Sequence, residues 1–152
     1  MDDLDRQILK LLQEEGRLSN VVLARRLDVS PHAVVGRVRR LEKSGAIRGY
    51  RAIADPAALG VGVRAIVFVR LQEHDEAAIA RFEEPARHVL GVLCCLQVAG
   101  SVDLALMVAV PDLADLARLI RSELAGIPGV RQLETSLVIG EAVSESGWPA
   151  LG

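Results

Sequence analysis

"SNVVLARRLDVSPHAVVGRVRRLEKSG", residues 19–45, decides how the first third of the chain folds. Ser19 and Ser30 each precede an apolar run, where a serine hydroxyl accepts from the unpaired N–H groups that open a helix. Pro31 follows Ser30 at the first helical position, where its missing N–H is no loss. Leu23 and Leu27 recur at helical spacing in the first run, and Val34, Val38 and Leu41 in the second. Gly45 is a natural terminator. The turn between the runs is tight, and Asp28 belongs at its left-handed corner, which Asp tolerates better than most residues. Upstream, "LDRQILKLLQEEG" (4–16) puts Leu4, Ile8, Leu11 and Leu12 on one stripe, with Asp2 or Asp3 to cap it and Gly16 to stop it. Three helices of about 11, 8 and 14 residues joined by short turns make a trihelical unit.

Charge singles out the same region. The 152-residue chain has a formal net charge of −2, but residues 17–51 hold 9 Lys or Arg against 2 Asp or Glu. Residues 61–152 hold 7 against 12. A basic head on an acidic body has the electrostatic footprint of a nucleic-acid contact. On a helical wheel His32, Gly36, Arg39, Arg40 and Lys43 fall opposite the apolar stripe, with Ala33 and Arg37 on the flank. Ser30 stands at the mouth of the same helix. Ala33 and Gly36 allow close backbone approach, which suits a recognition helix in the major groove. Arg37 and Arg40 are the candidates for base reading, because a guanidinium addresses guanine bidentately. Arg39 and Lys43 are the candidates for phosphate. For a lone "RVRR" a solvated basic face would be the better explanation. Here the helix-turn-helix context outweighs it: counted from Asn20, Ala24 takes the fifth position, where close packing calls for a small side chain. Leu23, Leu27, Val29 and Val34 supply its buried neighbours, and Asp28 occupies the turn position usually given to Gly.

The rest alternates. "AIRGYRAIAD" (46–55) is β-prone and "DPAALG" (55–60) has the look of a connector. Residues 63–74 form a strand and 75–89 a helix with Pro85 near its end. Residues 91–99 and 103–111 form hairpin strands. Residues 112–129 form a capped helix with Leu113, Leu116, Ile120 and Leu124 on one side, and 130–143 form the last strand. The stretch 89–111 has the length of a membrane span, but Gln97, Ser101 and Asp103 interrupt it, and a hairpin explains it better. The class is therefore α+β: a helix-turn-helix, winged-helix-like domain (1–52), a linker (53–62) and a ferredoxin-like βαββαβ domain (63–152). Strands as apolar as 65–71 and 104–110 on a single-sided sheet call for a second subunit over the open face.

Nothing in the sequence argues for an enzyme. Cys94 and Cys95 are adjacent, so on a strand they point to opposite faces and neither bridge nor share a metal. His32, His74 and His88 are scattered without ligand spacing, and no cofactor is expected. Met1-Asp2-Asp3 is acidic and leads straight into a helix, so no secretory signal is read there and a reducing cytoplasm is expected. With aromatics at 3%, the core must be aliphatic.

"LDRQIL", "GRLSN" and "VRRLEKSG" together resemble the N-terminal domain of the Lrp/AsnC family, the feast/famine transcription regulators. The βαββαβ body resembles that family's sensing and assembly domain, so the likeness covers nearly the whole chain. It implies a homodimer on double-stranded DNA, further assembly (commonly to octamers), and control by an amino acid or related small molecule. The family's effector signature is glycine, an acidic residue, an aromatic and aspartate in a hairpin turn. Gly100 and Asp103 match it, while Ser101 and Val102 replace the middle pair. That turn is either an effector site or a hairpin turn at a subunit contact. A competing class of function is a small-molecule-sensing regulatory subunit that controls an enzyme by protein contact. The one-signed charge of residues 17–51 argues against it.

Overall fold

Asp2 opens the first helix, α1 (Asp3–Glu14), by accepting from the Asp5 N–H at 2.9 Å. The Asp5 carboxylate accepts in return from the Asp2 N–H at 3.2 Å. Two orphan donors are thereby satisfied at the positive end of the helix dipole. Ser19 caps α2 (Asn20–Arg26) through the Val22 N–H at 3.3 Å, and Ser30 caps α3 (Pro31–Lys43) through the Ala33 N–H at 3.2 Å. Between them Asp28 takes the left-handed corner with φ 53°, and the Val29 N–H returns to the Ala24 carbonyl at 3.0 Å. Beyond α3, Gly45 turns with φ 77° and delivers Ile47 into the core formed by Ile8, Leu23, Ala24, Val34, Val38 and Leu41. Residues 46–55 form no strand, β-prone though they are: a strand needs another strand beside it, none pairs with them among the described residues, and the Ile47 N–H goes instead to the Leu41 carbonyl at the end of α3.

The computed structural model describes residues 1–140, in two compact units that divide after Ile53. Within the second, Asp55 and Gly60 bracket a short 3₁₀ turn (Ala57–Leu59). There follow β1 (Val63–Leu71), α4 (Glu76–Ala86), β2 (Val92–Gln97), β3 (Leu104–Val110), α5 (Leu113–Arg118), a π turn (Leu119–Leu124) and β4 (Val130–Leu137). The sheet order is β2-β3-β1-β4 with antiparallel neighbours, the split βαβ arrangement. Entry to β1 demands glycine, because a Cβ on Gly62 would lie 2.3 Å from the Pro111 carbonyl oxygen.

Side-chain alternation puts Ala65, Val67, Val69 and Leu71 of β1 on one face, beside Leu104, Leu106, Val108 and Val110 of β3. Against them pack Ala78, Phe82 and Ala86 of α4 and Leu116, Leu119 and Leu124 of the second helical segment. The other face is apolar in its centre. Ile66 is opposite Met107 and Phe68 opposite Ala105, with Cys94 and Leu96 continuing the band on β2.

Several details depart from the sequence-based expectation. Pro85 is accommodated in the last turn of α4, which ends one residue later. β1 stops at Leu71 and β4 at Leu137; residues 141–143 of the expected last strand lie outside the described residues, as does the tail's Trp148. The expected stripe of Leu113, Leu116, Ile120 and Leu124 is broken. Leu113 is 58% exposed, and Leu119 is buried in its place. Leu113 stands at the first position of α5, and Leu119 follows Leu116 at ordinary helical spacing; the π turn, in which the Ala125 N–H bonds the Ile120 carbonyl five residues back at 2.9 Å, lies beyond them and ends on the buried Leu124. Residues 89–111 run through the β2–β3 hairpin, and no helix among the described residues is long and apolar enough to cross a membrane.

Candidate functional site

On α3, Val34, Val38 and Leu41 turn inward, and Ser30, His32, Ala33, Gly36, Arg39, Arg40 and Lys43 lie exposed. Gly36 sits mid-helix without a positive φ, and nothing lies within 4 Å of the place its Cβ would occupy. A mid-helix glycine costs about 1 kcal/mol relative to alanine. Neither backbone conformation nor packing among the described residues requires one here. Arg39 and Lys43 have no ion-pair partner among the described residues. Arg26, on α2, is tied to Glu15 at 2.9 Å.

Arg37 and Arg40 behave differently from their neighbours. Arg37 Nη1 donates to both Asp2 carboxylate oxygens at 2.7 and 2.5 Å and to Asp5 Oδ1 at 2.9 Å. Arg40 Nη2 donates to both Asp5 oxygens at 2.9 Å. The first turn of α1 therefore grips the recognition helix through two carboxylates and two guanidiniums. Arg37's bond and the Asp5 N–H hold the Asp2 carboxyl down at about 2. Burial pushes the Asp5 carboxyl up, but Arg37, the Asp2 N–H and Arg40 outweigh it and leave it below the usual carboxylate range. Sequence spacing predicts the capping role of Asp2. It does not reveal that α1 and α3 meet here, because the partners are 32 to 35 residues apart.

Tyr50, on the segment leaving this unit, donates its hydroxyl to Glu42 Oε1 at 3.1 Å and so fastens that segment to the end of α3.

In the second unit, Gly100, Ser101, Val102 and Asp103 form the turn between β2 and β3. Gly100 has φ 155° with open space around it, Ser101 is exposed and Val102 half-buried. Asp103 is heavily engaged. Its N–H donates to the Val69 carbonyl at 2.9 Å, and Oδ2 accepts from the Leu71 N–H at 2.8 Å. Its Oδ1 lies 2.7 Å from His74 Nδ1. Burial raises the Asp103 carboxyl, but the Leu71 N–H and His74 more than offset this and lower it. The side chain thus prolongs the β1–β3 ladder past the last strand pair. His74, the first residue in sequence to reach this turn from the β1–α4 connection, carried no motif that would have marked it. A groove of about 660 Å³ lies at the opposite end of the sheet, among Leu90, Gly91, Val110, Pro111, Arg118 and Leu119.

Residues 1–42 match the AsnC-type helix-turn-helix domain, and residues 64–148 match the Lrp/AsnC ligand binding domain. The chain is 34% identical over 141 residues to the leucine-responsive regulatory proteins of Klebsiella pneumoniae and Escherichia coli K12, covering 93% of this chain and 86% of each relative. Among solved structures it is similar to a transcriptional regulator of Neisseria meningitidis in complex with L-Met, with a TM-score of 0.91 and 30% identity over 98% of this chain and 96% of that one. An AsnC family transcriptional regulator of Agrobacterium tumefaciens matches with a TM-score of 0.90 and 29% identity, covering 98% and 97% of the two chains.

Proposed function

The chain belongs to the Lrp/AsnC family of transcription regulators, and from that membership we propose how its parts divide the work. Residues 1–52 bind double-stranded DNA by laying α3 in the major groove, with 53–62 as linker and 63–152 as the sensing and assembly domain. Ser30, His32, Ala33 and Gly36 face the base edges, because the N-terminal part of a recognition helix lies deepest. Arg39 and Lys43, one turn further on, reach phosphates. The observation that carries this is Gly36, whose missing side chain opens the outer face of the helix and nothing else.

The open face of the sheet, with Ile66, Phe68, Met107 and Leu96 across its centre, takes a second copy of the chain. A dimer presents two α3 helices to half-sites about 34–36 Å apart, one turn of DNA. The same domain carries the dimers into a larger assembly, commonly an octamer in this family. The effector is an amino acid or related small molecule, a class supported by the L-Met complex of the Neisseria relative, and it acts at the turn of Gly100, Ser101, Val102 and Asp103. Ser101 offers a hydroxyl and Val102 a small apolar surface, so the ligand is held there without an added carboxylate or aromatic. The protein acts in the cytoplasm, on DNA, and catalyses no reaction.

The test is a salt titration on a duplex that the full chain itself selects from a randomised pool. Each phosphate contact contributes about 0.9 to the slope of log affinity against log salt. With two residues on each of two helices, Arg39→Ala with Lys43→Ala flattens that slope by about 3.6 in all. A slope that stays put in the double variant, or a wild type that enriches no duplex, refutes the assignment. Thermal melting with each of the common amino acids, with and without the duplex, tests the effector site; a complete blank removes it.

A further inference from the structure

We propose that Asp5, a buried carboxylate of α1, is a positioning residue for DNA recognition: it presents the Arg40 guanidinium at the surface of α3 and holds Arg37 back from it. This rests on the DNA-binding role of α3 proposed above and goes beyond it, because arginines three residues apart on one helix receive different tasks.

Asp5 is 2% exposed, the one charged residue among the described residues buried to that degree. A carboxylate there persists only if its charge is matched, and it is matched twice, by Arg37 and Arg40. The two guanidiniums differ in what is left over. The Arg37 side chain is 25% exposed, and its bonds run to Asp2 and Asp5, both on the neighbouring helix. The Arg40 side chain is 60% exposed and uses only Nη2 on Asp5, so Nη1 and Nε have no partner among the described residues and remain to donate. A long side chain normally loses rotamer freedom on meeting DNA, and one already held by a carboxylate loses less. Asp2 and Asp5 also cancel the charge of Arg37 and Arg40. The cluster therefore adds geometry to the interface without adding net charge, and the non-specific attraction is left to Arg39, Lys43 and their neighbours.

The experiment compares wild type, Asp5→Asn, Arg40→Lys and the double variant, as full chains, on the selected duplex and on a shuffled duplex across a salt series. Asp5→Asn keeps the side-chain shape and an oxygen for the Asp2 N–H but removes the charge. It is expected to cut the ratio of selected to shuffled affinity about tenfold for each of the two helices, so about a hundredfold in all, the scale of one base contact per helix. Affinity for the shuffled duplex holds or rises, and its salt slope steepens by about 0.9 for each arginine released to a phosphate. Arg40→Lys loses the same discrimination, and the double variant loses no more than the larger single loss, because the two residues act as one unit. A purely structural Asp5 would lower the melting temperature and leave both ratio and slope where they were. That result in a folded Asp5→Asn, or additive losses in the double variant, overturns the proposal. If Asp5→Asn does not fold, an unchanged ratio in Arg40→Lys overturns it by itself. A wild type that selects no duplex overturns the DNA-binding role instead.

Discussion

Gly36→Gln should make the protein more stable and worse at its task. The position is exposed and helical, and no atom approaches within 4 Å of the missing Cβ. Glutamine therefore meets no obstacle inside the chain and removes the backbone entropy that glycine costs a helix, a gain of about 0.5 kcal/mol. For a unit this small that is a rise of about 2–4 °C in melting temperature, measurable by circular dichroism. On DNA the added side chain occupies the space that lets α3 approach the base edges. A misfit of that kind costs about 1–3 kcal/mol per helix, so two helices lose at least about thirtyfold in affinity for the selected duplex. The assay is a fluorescence anisotropy titration of that duplex, run beside the melts. A variant that melts higher and binds as well as wild type would mean that the outer face of α3 is only solvated. A variant that melts lower would mean that Gly36 answers a need within the chain.

Other perturbations test the remaining parts. Asp2 is held at about 2 against an ordinary value of 3.8, and Asp5 is lowered as well, so their stabilisation is complete above about pH 4 and is lost as pH falls towards 2. Melts of wild type between pH 5 and pH 2 should show that loss, and Asp2→Asn should show less of it. Phe82 is fully buried between α4 and the sheet, and Phe82→Ala should cost about 3–5 kcal/mol in urea unfolding. Phe68→Glu, on the open sheet face and already opposite Glu134, should shift sedimentation towards the monomer while leaving the far-ultraviolet spectrum unchanged. An unaltered assembly would place the subunit contact elsewhere.

The chemistry that could be read from the sequence was local. A serine before an apolar run, a proline after it, an aspartate at a left-handed corner and a glycine at a helix end each act within a few residues, and all four stand where expected. The apolar runs 65–71 and 104–110 likewise pointed to a sheet with an apolar outer face, where β1 and β3 now pair. What escaped was decided at a distance. The wheel of α3 put Arg40 on the outer face and Arg37 on the flank, but it knows nothing of α1, and the carboxylates that pair with both come 32 to 35 residues earlier. Asp103 was matched to a ligand by its place in a motif, yet its bonds go to Leu71 and His74 across the sheet end. The π turn rests on a backbone hydrogen bond to Ile120, which side-chain periodicity cannot register.

The four-residue clamp also bears on how such a chain changes over generations. Asp2, Asp5, Arg37 and Arg40 balance one another, and losing either acid leaves an unmatched positive charge beside a helix N-terminus. Mutations at these positions are therefore tolerated in compensated sets and selected against singly. His32, Ala33 and Gly36, exposed and outside both this clamp and the Ser30 cap, can change one at a time without unsettling the fold. New operator sequences can then be explored along one edge of the helix while the other edge keeps it seated.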